Sequence, residues 1–79
     1  MDFNVIHGYR VEWDRSQKGI AYGVYHLRYV LERNEMETLF YAASRSPRRE
    51  AYFENRRRGQ FTLHHKGGHN LFLETREDR

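Results

Sequence analysis

Phe3, Val5, His7, Tyr9, Val11 and Trp13 occupy every second position at the start of the chain. A β-strand repeats its side-chain direction every two residues, so a single strand would put all six on one face. No other feature constrains the fold as strongly, because a helix would scatter these six around its axis. Gly8 interrupts the run and marks a bend or bulge. Residues 14–19 read as a polar loop. Alternation then resumes with Ala21, Gly23, Tyr25, Leu27, Tyr29 and Leu31. The other side of that strand, with Tyr22, Val24, His26, Arg28 and Val30, is half polar.

Residues 25–43 admit two readings. Leu27, Val30, Leu31, Leu39, Phe40 and Ala43 form a helical stripe, but Asn34 and Glu35 break it. A hairpin turning at Arg33 and Asn34 pairs Leu31 with Met36, Tyr29 with Thr38 and Leu27 with Phe40 on one face. The hairpin is the preferred reading. Further on, Ser46, Pro47 and Gly59 suit the N-cap, first position and C′ of a helix over residues 47–58. Glu50 falls near its first turn and three arginines in its last, where the helix dipole favours them. Two β-rich runs, residues 60–65 and 69–74, then flank Lys66, Gly67 and Gly68, a strong hairpin signal.

The expected fold is therefore α+β, an antiparallel sheet in β-β-β-α-β-β order with one short helix. The 79 residues make a single domain, with residues 74–79 expected to fray. A helix over 47–58 offers only Ala51, Tyr52 and Phe53 as apolar cover. The sheet must then curl strongly, as a half-barrel, or pack against a second chain; a homodimer is expected.

Cysteine is absent, which excludes disulfides and thiolate metal sites and favours a reducing compartment. The first residues lack the charged start and apolar run of a signal peptide. No apolar run approaches the roughly 20 residues of a membrane helix. A cytoplasmic, membrane-free protein is expected. Twelve aromatic residues spread along the chain argue against disorder despite the high charge.

Charge is concentrated. Arg45, Arg48, Arg49, Arg56, Arg57 and Arg58 fall within fourteen residues, offset there only by Glu50 and Glu54, so the segment carries +4 while the whole chain carries +3. One basic element on a near-neutral body points to a polyanion. Arginine binds phosphate as a flat bidentate donor, and twelve of the fourteen basic residues are arginine. These six arginines and Lys66 are the candidate nucleic-acid contacts, to DNA or RNA. An acidic protein surface is the competing partner. Arginines ending a helix, paired with Glu54, also have a purely structural explanation.

Three of the five histidines, His64, His65 and His69, surround the Gly67-Gly68 turn. On a strand His64 and His65 point to opposite faces, so at most one joins His69, too few to hold zinc unless His7, His26 or an acid joins them. No metal or cofactor is expected. The stretch from Gly59 to Leu73 resembles the first hairpin of the HicA-type mRNA interferases, in which a strand leads to Lys-Gly-Ser-His. The resemblance implies a catalytic role for His69 in a small ribonuclease. Otherwise the histidines are ordinary polar strand residues. The leading expectation is a non-catalytic nucleic-acid-binding protein of regulatory or accessory type, as phages, plasmids and toxin–antitoxin systems use.

Overall fold

A computed structural model describes residues 1–76. The chain is α+β, with a five-stranded open sheet and two helices. Strands β1 (Asp2–Ile6), β2 (Tyr9–Trp13), β3 (Glu50–Glu54), β4 (Gln60–His65) and β5 (Asn70–Thr75) lie in the spatial order β1-β2-β5-β4-β3. Helix α1 (Ile20–Tyr25) widens into a π-helical segment (His26–Val30), and α2 (Arg33–Arg45) follows. Both helices lie in the connection from β2 to β3. The sheet is mixed: β2 and β5 run parallel, and the other neighbours are antiparallel. The fully antiparallel half-barrel with one helix is thereby corrected.

The opening alternation is real, but it spans two strands. His7 and Gly8 both take positive φ, 51° and 89°, as a two-residue hairpin turn requires. Asn4 pairs with Val11 and Ile6 with Tyr9 across the ladder. Phe3 and Val5 thus face away from Tyr9 and Val11: both are exposed, while Val11 and Ile6 are buried.

Residues 20–30 and 33–45 are helical, with Leu31 and Glu32 extended between them, which corrects the second strand and the hairpin at Arg33-Asn34. Ile20, Gly23, His26 and Leu27 are the buried positions of the first stretch, and Met36, Phe40 and Ala43 those of the second. Both sets have helical spacing. Asn34 and Glu35 break the stripe because a helix begins there. Glu35 reaches back to the Glu32 backbone N–H at 2.8 Å, the arrangement of a capping box. The cluster of acids is a helix start, where carboxylates are favoured.

The expected helix over residues 47–58 is a turn, a strand and a loop. The Ser46 hydroxyl accepts the Arg48 N–H, as a cap would, but the Arg49 N–H returns to the Ser46 carbonyl. Arg49 then takes φ 58° and closes a tight turn. Beyond it, Ala51 and Phe53 face the core while Glu50, Tyr52 and Glu54 face out, a strand period. The loop over residues 55–59 is organised by Asn55, whose Oδ1 accepts the backbone N–H groups of Arg57 and Gly59 at 3.0 and 2.7 Å. The β4–β5 hairpin forms where the Gly67-Gly68 signal places it. β5 runs to Thr75, further into the expected frayed tail, and residues 77–79 lie outside the described residues.

The helices cover one face of the sheet, where Val11, Phe61, Leu63, Leu71 and Leu73 meet Ile20, Leu27, Met36 and Phe40. No described element covers the other face, which carries Phe3, Val5, Tyr52, Phe72 and His64. There His64 sits between two carboxylates, 3.5 Å from Glu50 and 2.9 Å from Glu74, bridging three strands.

Candidate nucleic-acid interface

The six arginines do not form one patch. β3 separates them, about 15 Å of strand at ~3.3 Å per residue. Arg45, Arg48 and Arg49 lie at one end with Lys66, close to the His65–Arg49 ladder contact. Arg56, Arg57 and Arg58 lie at the other, in the β3–β4 loop. None of the six forms a salt bridge among the described residues, so the pairing of Glu54 with Arg57 or Arg58 is absent there. Glu54 instead accepts a hydrogen bond from Gln60 at 2.8 Å.

The two clusters have different surroundings. At the first, Arg45 stacks on Tyr41 and the Arg49 guanidinium donates to His65 Nδ1 at 3.2 Å. His65 Nε2 in turn lies 2.9 Å from the Gly68 carbonyl oxygen. Guanidinium has no acceptor and a carbonyl has no donor, so His65 Nδ1 accepts and its Nε2–H donates in this arrangement. Arg49 and His65 therefore satisfy each other, and Lys66 lies over the Phe72 ring.

The second cluster faces a stripe of tyrosines. Tyr22, Tyr25 and Tyr29 project from α1 and the π-helical segment, and each is more than half exposed. The rings of Tyr25 and Tyr29 lie 5.0 Å apart. Arg57 sits over Tyr22 and Arg28 over Tyr29, at 5.6 and 5.1 Å from the ring centres. Two adjoining hollows of about 500 and 410 Å³ separate the loop from the helix. Lys18, Arg56, Arg57, Arg58 and Arg76 line them, and among the described residues no acidic one does. Cations and aromatic rings thus alternate along one surface.

His26 opens into the smaller hollow. It is 8% exposed, and its ring stacks on Phe53 at 5.5 Å. The imidazole makes no hydrogen bond to a described residue, yet among the described residues no side-chain nitrogen or oxygen is sealed off without a partner. Its access is therefore through the hollow it lines. Burial, and next the Arg56 charge, hold its pKa below the usual 6.5. His26 is accordingly neutral near pH 7, with one donor and one acceptor to offer.

A histidine whose pKa is lowered by folding costs nothing above its unfolded value, 6.5. Below that value the unfolded chain gains a proton that the folded chain resists, so stability falls as pH drops. Replacing His26 with Phe preserves the stacking and removes the titration. The stability difference between wild type and His26→Phe, followed by urea unfolding, should shift against wild type between about pH 7 and 5. A pH-independent difference would mean that His26 is solvated when folded.

His69 lies elsewhere, beyond the far end of β4, with its ring against Tyr9 and Phe40. The structure does not bring it to Arg56, Arg57 or Arg58. It lines a third hollow, of about 300 Å³, with His7, Gly8, Tyr9, Arg33, Glu37 and Tyr41. Among the described residues no group of three or more histidine, cysteine or acidic side chains is arranged to hold a metal ion. No helix among them is long and apolar enough to cross a membrane.

Lys18, Arg28, the three tyrosines and His26 escaped the sequence reading of the site. Tyr22, Tyr25 and Tyr29 recur at helical spacing, which was the available signal. Reading the segment as a strand hid it, because a strand puts Tyr22 opposite Tyr25 and Tyr29. Comparison of the chain with known protein families, curated proteins and solved structures finds no match.

Proposed function

We propose that this protein binds single-stranded nucleic acid across the surface between α1 and the β3–β4 loop. The alternation of Tyr22, Tyr25 and Tyr29 with Lys18, Arg28 and Arg56, Arg57 and Arg58 carries this reading. Unpaired bases stack on aromatic faces, each worth about 1–3 kcal/mol, while cations follow the backbone. A duplex hides its base faces and has no use for exposed rings. An acidic protein partner would use the cations and bury the tyrosines as well; the preference for a single strand tested below separates the two readings. The hollow at His26 has the polar lining to read the edge of one base. This role fits a non-catalytic accessory protein acting in the cytoplasm.

The test is equilibrium binding of a fluorescent oligonucleotide. A single strand should bind more tightly than a duplex of the same length. Tyr22→Leu with Tyr25→Leu should weaken single-strand binding by tenfold or more while leaving the salt dependence unchanged. Preference for the duplex would rule out the stacking mode.

Self-association passes to a different surface from the one the sequence suggested. The helices cover their own face of the sheet. The uncovered face places Phe3 and Val5 on the free edge strand β1, both more than half exposed. A second copy paired along β1 would give both residues apolar cross-strand neighbours and satisfy the open edge. Sedimentation at micromolar concentration should show a dimer that Val5→Lys dissociates; a wild-type monomer refutes it.

A further inference from the structure

The 300 Å³ hollow at the His7-Gly8 turn has no part in the proposed interface. It lies between that turn, the first turns of α2 and the β4–β5 turn. Two imidazoles, two phenols, one guanidinium and one carboxylate line it. Such a set is dense for a small surface hollow, and several of its members are placed at a cost.

Tyr9 is the clearest case. It is 8% exposed, with its ring stacked on Phe40 at 4.5 Å and edge-on to His69 at 5.2 Å. Its hydroxyl makes no hydrogen bond to any described residue. Among the described residues no side-chain polar atom is sealed off without a partner, so the hydroxyl reaches solvent through the hollow that Tyr9 lines. Buried tyrosine hydroxyls ordinarily find a protein partner.

Arg33 is a second case. It is the first residue of α2, where the helix dipole disfavours a cation and favours an anion. No described acid pairs with it. His7 is a third: it holds φ 51°, a conformation costly for a residue with a side chain. Its Nε2 lies 3.0 Å from the Leu31 carbonyl oxygen and therefore carries the proton. That bond fixes the ring at the wall of the hollow.

Arg33, Tyr9, Tyr41 and His69 are donors that suit a phosphate. Glu37 is not: a carboxylate repels phosphate and accepts hydroxyl groups. One ligand class satisfies both kinds of group, a phosphate carried on a hydroxylated carbon skeleton. The volume is at the low end of ligand pockets, suitable for a pentose phosphate with anything attached to it left outside. We infer that this hollow binds a sugar phosphate, with Arg33 and Tyr9 on the phosphate and Glu37 on a sugar hydroxyl. The sugar phosphate is either free or the 5′ end of a nucleic-acid strand.

Calorimetry with ribose 5-phosphate, inorganic phosphate and ribose tests this on the full chain. Ribose 5-phosphate should bind most tightly of the three. Tyr9→Phe and Arg33→Gln should each weaken it about tenfold or more, the loss of a hydrogen bond to a charged group. Tyr9→Phe gives up no protein hydrogen bond, so its melting temperature should equal or exceed that of wild type. Glu37→Gln should weaken ribose 5-phosphate and leave inorganic phosphate as tight or tighter, which no general loss of structure would do.

Arg56→Gln with Arg57→Gln and Arg58→Gln should leave ribose 5-phosphate binding intact, so this site stands or falls apart from the interface on the other end of the sheet. In that triple variant, an oligonucleotide with a 5′-phosphate that outbinds its 5′-hydroxyl counterpart identifies a strand terminus as the source. Equal binding of the two identifies a free sugar phosphate. No saturable binding of ribose 5-phosphate at millimolar concentration, or binding indifferent to Tyr9→Phe and Arg33→Gln, overturns the inference.

Discussion

Replacing Arg56, Arg57 and Arg58 together with Gln should lower single-strand affinity and flatten its dependence on salt. Each phosphate contact on a single strand contributes about 0.7 to the slope of log K against log salt, so three lost contacts remove about 2. At moderate salt this amounts to a loss of tenfold or more. The loop should keep its shape, because it is held through backbone groups: Asn55 Oδ1 binds the N–H groups of Arg57 and Gly59. Arg58 at φ 65° is strained already, and Gln there is strained no more. The matched control is Arg45, Arg48 and Arg49 replaced together, which removes the same charge from the opposite end of β3. If the interface lies where the tyrosines are, the control loses much less affinity and slope. Equal losses would mean that net charge alone attracts the ligand. Unchanged binding in a folded Arg56–Arg57–Arg58 variant would exclude the loop as the site.

The two arginine triplets show why the site was only half legible. In sequence they are one basic segment; in space a strand divides them. The decisive residues were Ser46 and Pro47. Serine followed by proline begins a helix or a tight turn equally well, since both need a side-chain acceptor followed by a fixed φ. The alternation of Ala51 and Phe53 with Glu50, Tyr52 and Glu54 is the pattern the fold realises, but five residues were too few to outweigh the caps. At the Gly67-Gly68 turn no such competition existed, because two glycines between β-rich runs favour a single local structure. The hairpin there formed where the sequence placed it. The α+β class agrees, but not through its helices: the helix expected over residues 47–58 is a turn, a strand and a loop, and the two helices lie where strands were expected. The sheet order was not legible. The parallel pairing of β2 with β5 joins residues about sixty apart, and no local pattern encodes a contact at that separation.

The misread helix α1 leads to the second large effect. Gly23 lies in the middle of α1, and glycine there costs roughly 1 kcal/mol relative to a good helix former. By propensity alone Gly23→Leu should stabilise the protein. The packing predicts the reverse. A Cβ at residue 23 would lie 2.6 Å from two carbons of the Phe61 ring, closer than unstrained packing allows. Phe61 is 2% exposed, stacks on Phe53 at 5.2 Å, and cannot swing aside. Either α1 lifts off β4 or the ring leaves its rotamer, and overpacking of this kind costs about 3 kcal/mol or more for a side chain as large as leucine. Set against a total of only ~5–15 kcal/mol for a domain, that is a large fraction. Urea unfolding should therefore show Gly23→Leu destabilised by at least 2 kcal/mol net of the propensity gain. Gly23→Ala should be milder. Phe61→Leu in the Gly23→Ala background should cost less than Phe61→Leu alone, since the smaller side chain relieves the overlap. Because α1 also carries Tyr22 and Tyr25, lifting it would displace the stacking surface, and Gly23→Leu should weaken single-strand binding even at temperatures where it stays folded. A Gly23→Leu protein as stable as wild type would show that α1 does not pack on Phe61 and would remove the support on which the tyrosine stripe is placed.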